Sequence, residues 1–482
     1  MFSTTFLGHQ GWVFRSAESC VLVDPLLREE FGHAHALDYR VYPPRALTFE
    51  TFPAVDAVVL THEHDDHFDI PSLARLDRKI PIYLSARSSS AAFRILSEMG
   101  FVVHPLVPGV SAKLGELELY PLVGDHTKSD SGDEWDALPF VVRDSQGQGS
   151  FFSAVDVTVT RGLFESARKW CAKPGLIGWT NNTLDRSHMT SFLSECDDAS
   201  PEFAEQMQAG QELLSRVWGV PRAMLLCAGG FSFYGSRAWL NQRVFCVDAQ
   251  RVSGSMAAAN PGVRYYSAVP GQTFHMQANE LTEVADGASF LTTAPTETWP
   301  SRAKDTKSPA PDYEPATTRS EMTAQEVVLL RGKLQELADA LAGSQLFRGL
   351  YSLMGVELAG YQCTFALVVR HGTRAAVFEY RPNACAFGTS RAERPRETYI
   401  AGMECWGSDL LAVLSGELSP IALSFGRAML WNHVADRFDF NIFRELYRLS
   451  HPLRRPDAYH AIYQRLLSEC ADAAPVVHGH AS

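Results

Sequence analysis

Within six consecutive residues, His62-Glu63-His64-Asp65-Asp66-His67, the chain carries three imidazoles interleaved with carboxylates, directly after the apolar, β-branched run Ala54 to Thr61. Such groups are costly to bury without a partner. A divalent cation satisfies them together, because imidazole nitrogens and carboxylate oxygens are both common metal ligands. His62 and His64, two residues apart at the end of a strand, can face one ion. Asp66 and His67, adjacent at the start of the next helix, can face a second. This is not the i, i+4 histidine pair of a helical zinc-protease motif, so the site is expected on a loop. The competing reading is a solvated polar loop. It fits poorly with a run that follows a strand of buried type instead of lying in a polar tail.

The elements that must hold this loop alternate in pattern. Ala54 to Thr61 and Ile80 to Ser85 read as strands. Between them, Asp69 and Pro71 look like the cap and first-turn proline of a short helix. A helix is expected over Ala86 to Met99, ending at Gly100. Strands are expected at Phe101 to His104, Leu117 to Val123, Pro139 to Arg143, Ser150 to Val155, Leu176 to Thr180 and Ala223 to Cys227, with helices at Arg161 to Cys171 and Pro201 to Val217. This density of mixed elements predicts a sheet-based α/β (α+β) domain with helices outside. Thr293 to Thr318 is rich in Pro, Thr, Ser and charge and almost free of aliphatic residues, as a linker would be. After it, Thr323-x-x-Glu326 fits a capping box, Cys363 to Arg370 and Arg374 to Tyr380 fit a hairpin, and helical stretches follow near Asp409 to Leu414, Ile442 to Leu449 and Pro456 to Leu467. The expected division is a metal-binding domain over residues 1–290, a linker over 291–320 and a smaller α+β domain over 321–475.

With 482 residues, two domains are the default. A net charge of −12 argues against a nucleic-acid partner and against a polybasic membrane contact. No stretch approaches the ~20 apolar residues of a membrane span, and the N-terminus lacks the pattern of an export signal. The nine cysteines are scattered without a C-x₂-C pair, which suits free thiols in a reducing compartment, so a cytoplasmic location is expected.

The pattern His-x-His-x-Asp-His after an apolar strand resembles the signature of the metallo-β-lactamase superfamily. Gly8-His9 and Val23-Asp24-Pro25 look like its opening hairpin and Asp-Pro. The resemblance implies an αββα sandwich with the site at one edge. It also implies two later ligands: His126, in Gly124-Asp125-His126-Thr127, as the family's third histidine, and Asp156 as the carboxylate that bridges two metals. The family's final histidine has no counterpart near Leu226. His188 can substitute for it from another loop, or Tyr234 can line the position, with Asn181, Asn182 and Arg186 as further substrate-binding candidates. The stretch from Cys227 through Tyr234 to Asn241, with Trp406-Gly407-Ser408-Asp409 and Arg455-Pro456-Asp457, is similar to the CMP-N-acetylneuraminate hydroxylase-like branch. The chain has no Cys-x-His pairs for that branch's Rieske cluster. Ser415 to Ala428 is similar to sterol-carrier-type domains.

The expected cofactors are one or two divalent metals, zinc first, with iron or manganese as alternatives. A metal at His62, His64 and His126 would lower the pKa of bound water from ~15.7 toward ~7, with Asp66 as the catalytic carboxylate. The first expectation is therefore a metal-dependent hydrolase acting on an ester, phosphoester, sulfate ester or lactone of a small-molecule substrate. The alternatives are a di-iron oxygenase, drawing electrons from a redox partner or from the substrate, and a non-catalytic metal-stabilised binding protein.

Overall fold

Strand Ala57–Leu60, which leads into the histidine run, is buried at all four positions, as a continuous apolar run requires of a central parallel strand. It pairs in parallel with Cys20–Val23 on one side and Ile82–Ser85 on the other. The computed structural model describes residues 1–33, 39–124, 134–180, 200–228, 231–242, 247–301, 314–354, 356, 358, 360–435, 437–438, 440–470 and 473–480. Within them this strand belongs to an eight-stranded sheet, ordered Glu280–Ala285, Thr273–Gln277, Phe2–Gly8, Gly11–Arg15, Cys20–Val23, Ala57–Leu60, Ile82–Ser85, Val103–Leu106.

A second sheet of seven strands runs Ala112–Leu114, Leu117–Pro121, Phe140–Asp144, Ser150–Ser153, Leu176–Thr180, Ala223–Cys227, Arg264–Ser267. The two sheets face each other across a core that includes Phe6, Trp12, Phe14, Val21, Leu119, Phe140, Phe151 and Leu225. Helices cover both outer faces. Ile70–Leu73 and Ser90–Glu98 pack on the first sheet through Leu73, Ile82, Ile95 and Leu96. Arg161–Arg168, Ser200–Trp218 and Ala249–Ala259 pack on the second through Phe152, Phe164, Met207, Leu214, Trp218 and Met256. The architecture is the expected αββα sandwich, a mixed α/β fold.

Local chemistry accounts for the boundaries. Asp69 caps Ile70–Leu73 through Ser72 N–H, and Pro71 sits in its first turn. The helix expected from Ala86 starts later, at Ser90, because the Ser89 hydroxyl accepts from Ala92 N–H and fixes the cap there. Gly100 follows it with φ 92°, a conformation that favours glycine.

The C-terminal part is α+β. Five strands are ordered Ala386–Ser390, Arg374–Arg381, Gln362–His371, Tyr399–Trp406, Ala428–Asn432. Helices Ala324–Leu341, Gln345–Ser352, Gly407–Ser415 and Ile442–Leu449 pack against them around Leu337, Leu350, Phe365, Met403 and Leu446. The Thr323–Glu326 capping box is formed, and Gly372 turns the hairpin at φ 55°. The last helix, Pro456–Glu469, lies elsewhere. Its Tyr459, Ile462, Tyr463 and Leu466 share the core of Leu73, Ile95 and Leu96, and the tail beyond it bridges back through Val477 to Leu76 and Gly479 to Val55. The C-terminal helix and tail therefore join helices Ile70–Leu73 and Ser90–Glu98 in the layer outside the first sheet. Among the described residues no helix is long and apolar enough to cross a membrane, and the described cysteines are free thiols.

Candidate metal centre

The histidine run occupies the turn between strand Ala57–Leu60 and helix Ile70–Leu73, at one end of the sandwich. A carboxylate below it organises the turn. Asp24 accepts Thr61 N–H on Oδ1 at 2.8 Å, and on Oδ2 it takes the Thr61 hydroxyl at 2.7 Å and His67 Nδ1 at 2.8 Å. The Thr61 hydroxyl hydrogen is thus engaged by Asp24, so at 3.0 Å the Thr61 oxygen accepts from His62 Nδ1. Both imidazoles thereby carry a proton on Nδ1 and turn Nε2 toward the cluster, the usual arrangement for a metal-bound histidine. Those two Nε2 atoms are buried and have no hydrogen-bond partner among the described residues.

Carboxylates stand at the remaining corners. His62 Nε2 is 3.5 Å from Glu134 Oε2 and 3.5 Å from Asp156 Oδ2. His64 Nδ1 is 3.5 Å from Glu134 Oε1. His67 Nε2 is 3.0 Å from Asp156 Oδ2 and 3.7 Å from Asp66 Oδ2. Two atoms bound to one ion at about 2.1 Å lie about 3.0 Å apart at a right angle and about 3.4 Å apart at the tetrahedral angle. Four of these five distances fall close to that range. Three groups of donors, each within 4.8 Å of one another, can hold an ion: His62, His64, Glu134; His62, His67, Asp156; and His9, Asp66, His67. The residues present therefore fit a divalent metal, and His62 Nε2 can serve one of the two sets to which it belongs.

The electrostatics agree. Burial, helped by the rings of His67 and His64, holds the His62 pKa well below the usual histidine range, so that imidazole is neutral. Burial also opposes charge on His67, but Asp66, Asp24 and Asp156 outweigh it and hold its pKa well above that range. Burial would raise Asp66, yet His67 and His9 keep it well below the ordinary carboxylate range. Three carboxylates concentrated around neutral or shared-proton imidazoles call for a cation, and a metal would displace the shared proton.

Of the residues expected from sequence, the structure brings together His62, His64, Asp66, His67 and Asp156. His126, His188, Asn181, Asn182 and Arg186 lie outside the described residues. Tyr234 follows strand Phe231–Phe233 and carries the Arg40 guanidinium over its ring at 4.1 Å. Three participants were not foreseen. Glu134 meets both His62 and His64. His9, at the tip of the first hairpin with φ 55°, bonds Asp66 Oδ2 at 2.7 Å through Nε2. Gln10 donates to Asp156 Oδ1 at 3.0 Å and to the Thr180 hydroxyl at 3.0 Å. A histidine after a glycine at a hairpin tip was the available signal for His9. Glu134 lies in an acidic stretch that carries no such mark.

Residues 20–193 match the family model described as a beta-lactamase superfamily domain. No curated protein matches the chain. Among solved structures, an isothiocyanate hydrolase from Delia radicum gut bacteria is similar over 57% of this chain and 99% of its own, at 15% identity and a TM-score of 0.40. Igni18, a metallo hydrolase from Ignicoccus hospitalis, is similar over 57% and 99%, at 15% identity and a TM-score of 0.37. CmlA, a diiron β-hydroxylase from Streptomyces venezuelae, is similar over 57% of this chain and 54% of its own, at 16% identity and a TM-score of 0.36. Residues 20–193 thus match a beta-lactamase superfamily domain, and the two layered sheets to which they belong form the metallo-β-lactamase fold.

Proposed function

We propose that the chain is an oxygen-dependent enzyme whose centre takes two iron ions, one at His62, His64 and Glu134 and the other at Asp66, His67 and Asp156. The observation that carries this reading is Glu134, against both early histidines at 3.5 Å. Two imidazoles and one carboxylate with open positions form the donor set of non-haem iron(II) oxygenases, and oxygen-rich sets move preference away from zinc toward iron or manganese. Bound in such a set, iron supplies the activation of O₂. The chain's own residues do the positioning. Thr61 and Asp24 fix the imidazole tautomers, Gln10 orients Asp156, and His9 holds Asp66 through a hydrogen bond. The side chains of His64, Asp66 and Glu134 are 23%, 21% and 21% exposed, against 0% for His62 and His67. A small-molecule substrate therefore approaches from that side, beside Trp135. Electrons not drawn from the substrate come from a redox partner.

Hydrolysis of an ester, phosphoester, sulfate ester or lactone is the second reading, favoured by Asp66. Partly exposed and held by His9, this carboxylate can take a proton from an attacking water. Elemental analysis of protein purified without added metal separates the two. The expected result is two irons per chain, lost in His64→Ala, with turnover that consumes O₂ and needs a reductant. Zinc in their place, with turnover of an aryl phosphate or sulfate, would replace the oxygenase reading by the hydrolytic one. Metal without either turnover would favour a metal-stabilised binding protein.

A further inference from the structure

Glu63 sits between two candidate ligands, and its carboxylate accepts from groups outside the metal cluster. Its side chain is buried and accepts three hydrogen bonds: Ser89 N–H at 2.7 Å, the Ser89 hydroxyl at 2.6 Å and the Tyr463 hydroxyl at 2.8 Å. Its backbone N–H is donated to Asp136 Oδ2 at 3.0 Å, and Asp136 also takes the Ser88 hydroxyl at 2.6 Å. The peptide that joins His62 to His64 is thus pinned from both sides.

One of those pins crosses almost the whole chain. Tyr463 lies on helix Pro456–Glu469, fully buried, with its ring 5.3 Å from Phe68 and 5.1 Å from His33. Packing alone would be satisfied by phenylalanine. The hydroxyl adds a buried donor, and the acceptor it meets is the Glu63 carboxylate. On the same helix His460 and Gln464 meet Glu98 at 2.8 and 3.2 Å, away from the centre.

We propose that Tyr463 is a positioning residue of the metal centre: the C-terminal helix clamps Glu63 and, through it, sets the angle at which His62 and His64 face one ion. The proposal rests on the reading that the cluster holds metal. A buried carboxylate that loses one of three donors shifts to recover solvation or a new partner, and the backbone between the two ligands moves with it. Loss of a group that orients ligands typically costs 10–100-fold in metal affinity, and one indirect donor belongs at the lower end.

The test uses the full-length protein loaded with cobalt(II) alone. It compares wild type, Tyr463→Phe, Ser89→Ala, the double variant and His460→Gln by the rate at which a chelator strips the ion and by the visible spectrum of the bound cobalt. Tyr463→Phe is expected to release cobalt about tenfold faster, with a shifted visible band. Ser89→Ala acts on the same carboxylate and should do likewise. The double variant should fall short of the product of the two, because both act through Glu63. His460→Gln should release at the wild-type rate. Circular dichroism checks folding, and Ser89→Ala, which also removes the cap of helix Ser90–Glu98, leaves helix Pro456–Glu469 untouched if Tyr463→Phe folds poorly. Wild-type release and spectrum in both Tyr463→Phe and Ser89→Ala would overturn the proposal, as would equal acceleration by His460→Gln. A wild-type chain that takes up no cobalt overturns the metal reading itself, before any variant is compared.

Discussion

Asp24→Asn tests the foundation of the centre. Asp24 has φ 44°, and asparagine tolerates that left-handed conformation as well as aspartate does, so the substitution isolates the hydrogen bonding. The carboxylate serves three buried donors with two oxygens, whereas a carboxamide offers one acceptor. Turned toward the Thr61 hydroxyl and His67, the amide leaves its NH₂ facing Thr61 N–H, and one buried donor goes unpaired at about 1–3 kcal/mol. Turned the other way, the NH₂ faces His67 Nδ1, which must surrender its proton. That proton then sits on Nε2, the nitrogen 3.0 Å from Asp156, and a protonated nitrogen cannot bind a metal. Both arrangements weaken metal binding, by about 10–100-fold on the scale of lost ligand-orienting groups. Urea denaturation of metal-free protein should show the first as a loss of about 1–3 kcal/mol, and chelator competition should show the weakened binding. A variant within about 0.5 kcal/mol of wild type that also retains metal equally well would refute the tautomer-fixing role of Asp24.

Chelation should lower stability by about 2.7 kcal/mol per site for an ion present at a hundred times its Kd, read from denaturation with and without chelator; superimposable curves would speak against a bound metal. Glu134→His creates a three-histidine set, and elemental analysis should show zinc rising at the expense of iron; an unchanged ratio removes the argument from Glu134. Gly402→Ala should cost the chain about 1–3 kcal/mol or more, because the added Cβ would lie 2.1 Å from Trp431 Cζ2 and 2.5 Å from the Ala366 carbonyl oxygen; a variant as stable as wild type to denaturant would contradict that packing. Desolvation is the largest single influence on Glu98 and opposes its charge, but hydrogen bonds from His460, Arg94 and Gln464 together outweigh it and lower its pKa. Its folded pKa is depressed, so its contribution is present above the ordinary glutamate value and lost as pH falls through the lowered one. The stability difference between wild type and Glu98→Gln should therefore be full near pH 7 and shrink below about pH 4; a difference that grows on acidification would be the wrong sign.

The legible elements were those with one-sided or continuous burial. Strands Leu176–Thr180 and Ala223–Cys227 and helix Ile442–Leu449 carry unbroken apolar runs or a clean helical period, and their limits agree with the sequence reading. Two of the strands that escaped it are at sheet margins, although the central, buried Tyr399–Trp406 escaped it as well. Arg264–Ser267 and Glu280–Ala285 are half-exposed and mixed in polarity, because an edge strand has solvent where a central strand has a neighbour. The place of helix Pro456–Glu469 was equally hidden. Its apolar positions predict a buried face but cannot say which core that face joins, and its partners prove to be Leu73, Ile95 and Leu96.

The same contrast between local and distant information governs the site. Donors that share one turn announce themselves by spacing, so His62, His64, Asp66 and His67 could be read together. Glu134 sits in Gly132-Asp133-Glu134-Trp135-Asp136, a pattern of a solvated acidic loop until the second sheet carries it across to the first. His9 needs the hairpin Phe2–Gly8 and Gly11–Arg15 to be in register and its carbonyl to meet Ala228 N–H at 2.8 Å. Backbone conformation supplies a signal that sequence withholds. His9, Asp24, Val155 and Ala228 all have positive φ, between 44° and 55°, and all lie at strand ends around the cluster. For three of them glycine would be the less strained choice, at about 1–2 kcal/mol each. Strain retained without glycine, concentrated where chain ends converge on the donors, is what a scaffold shows when it fixes side chains for chemistry at the expense of its own stability.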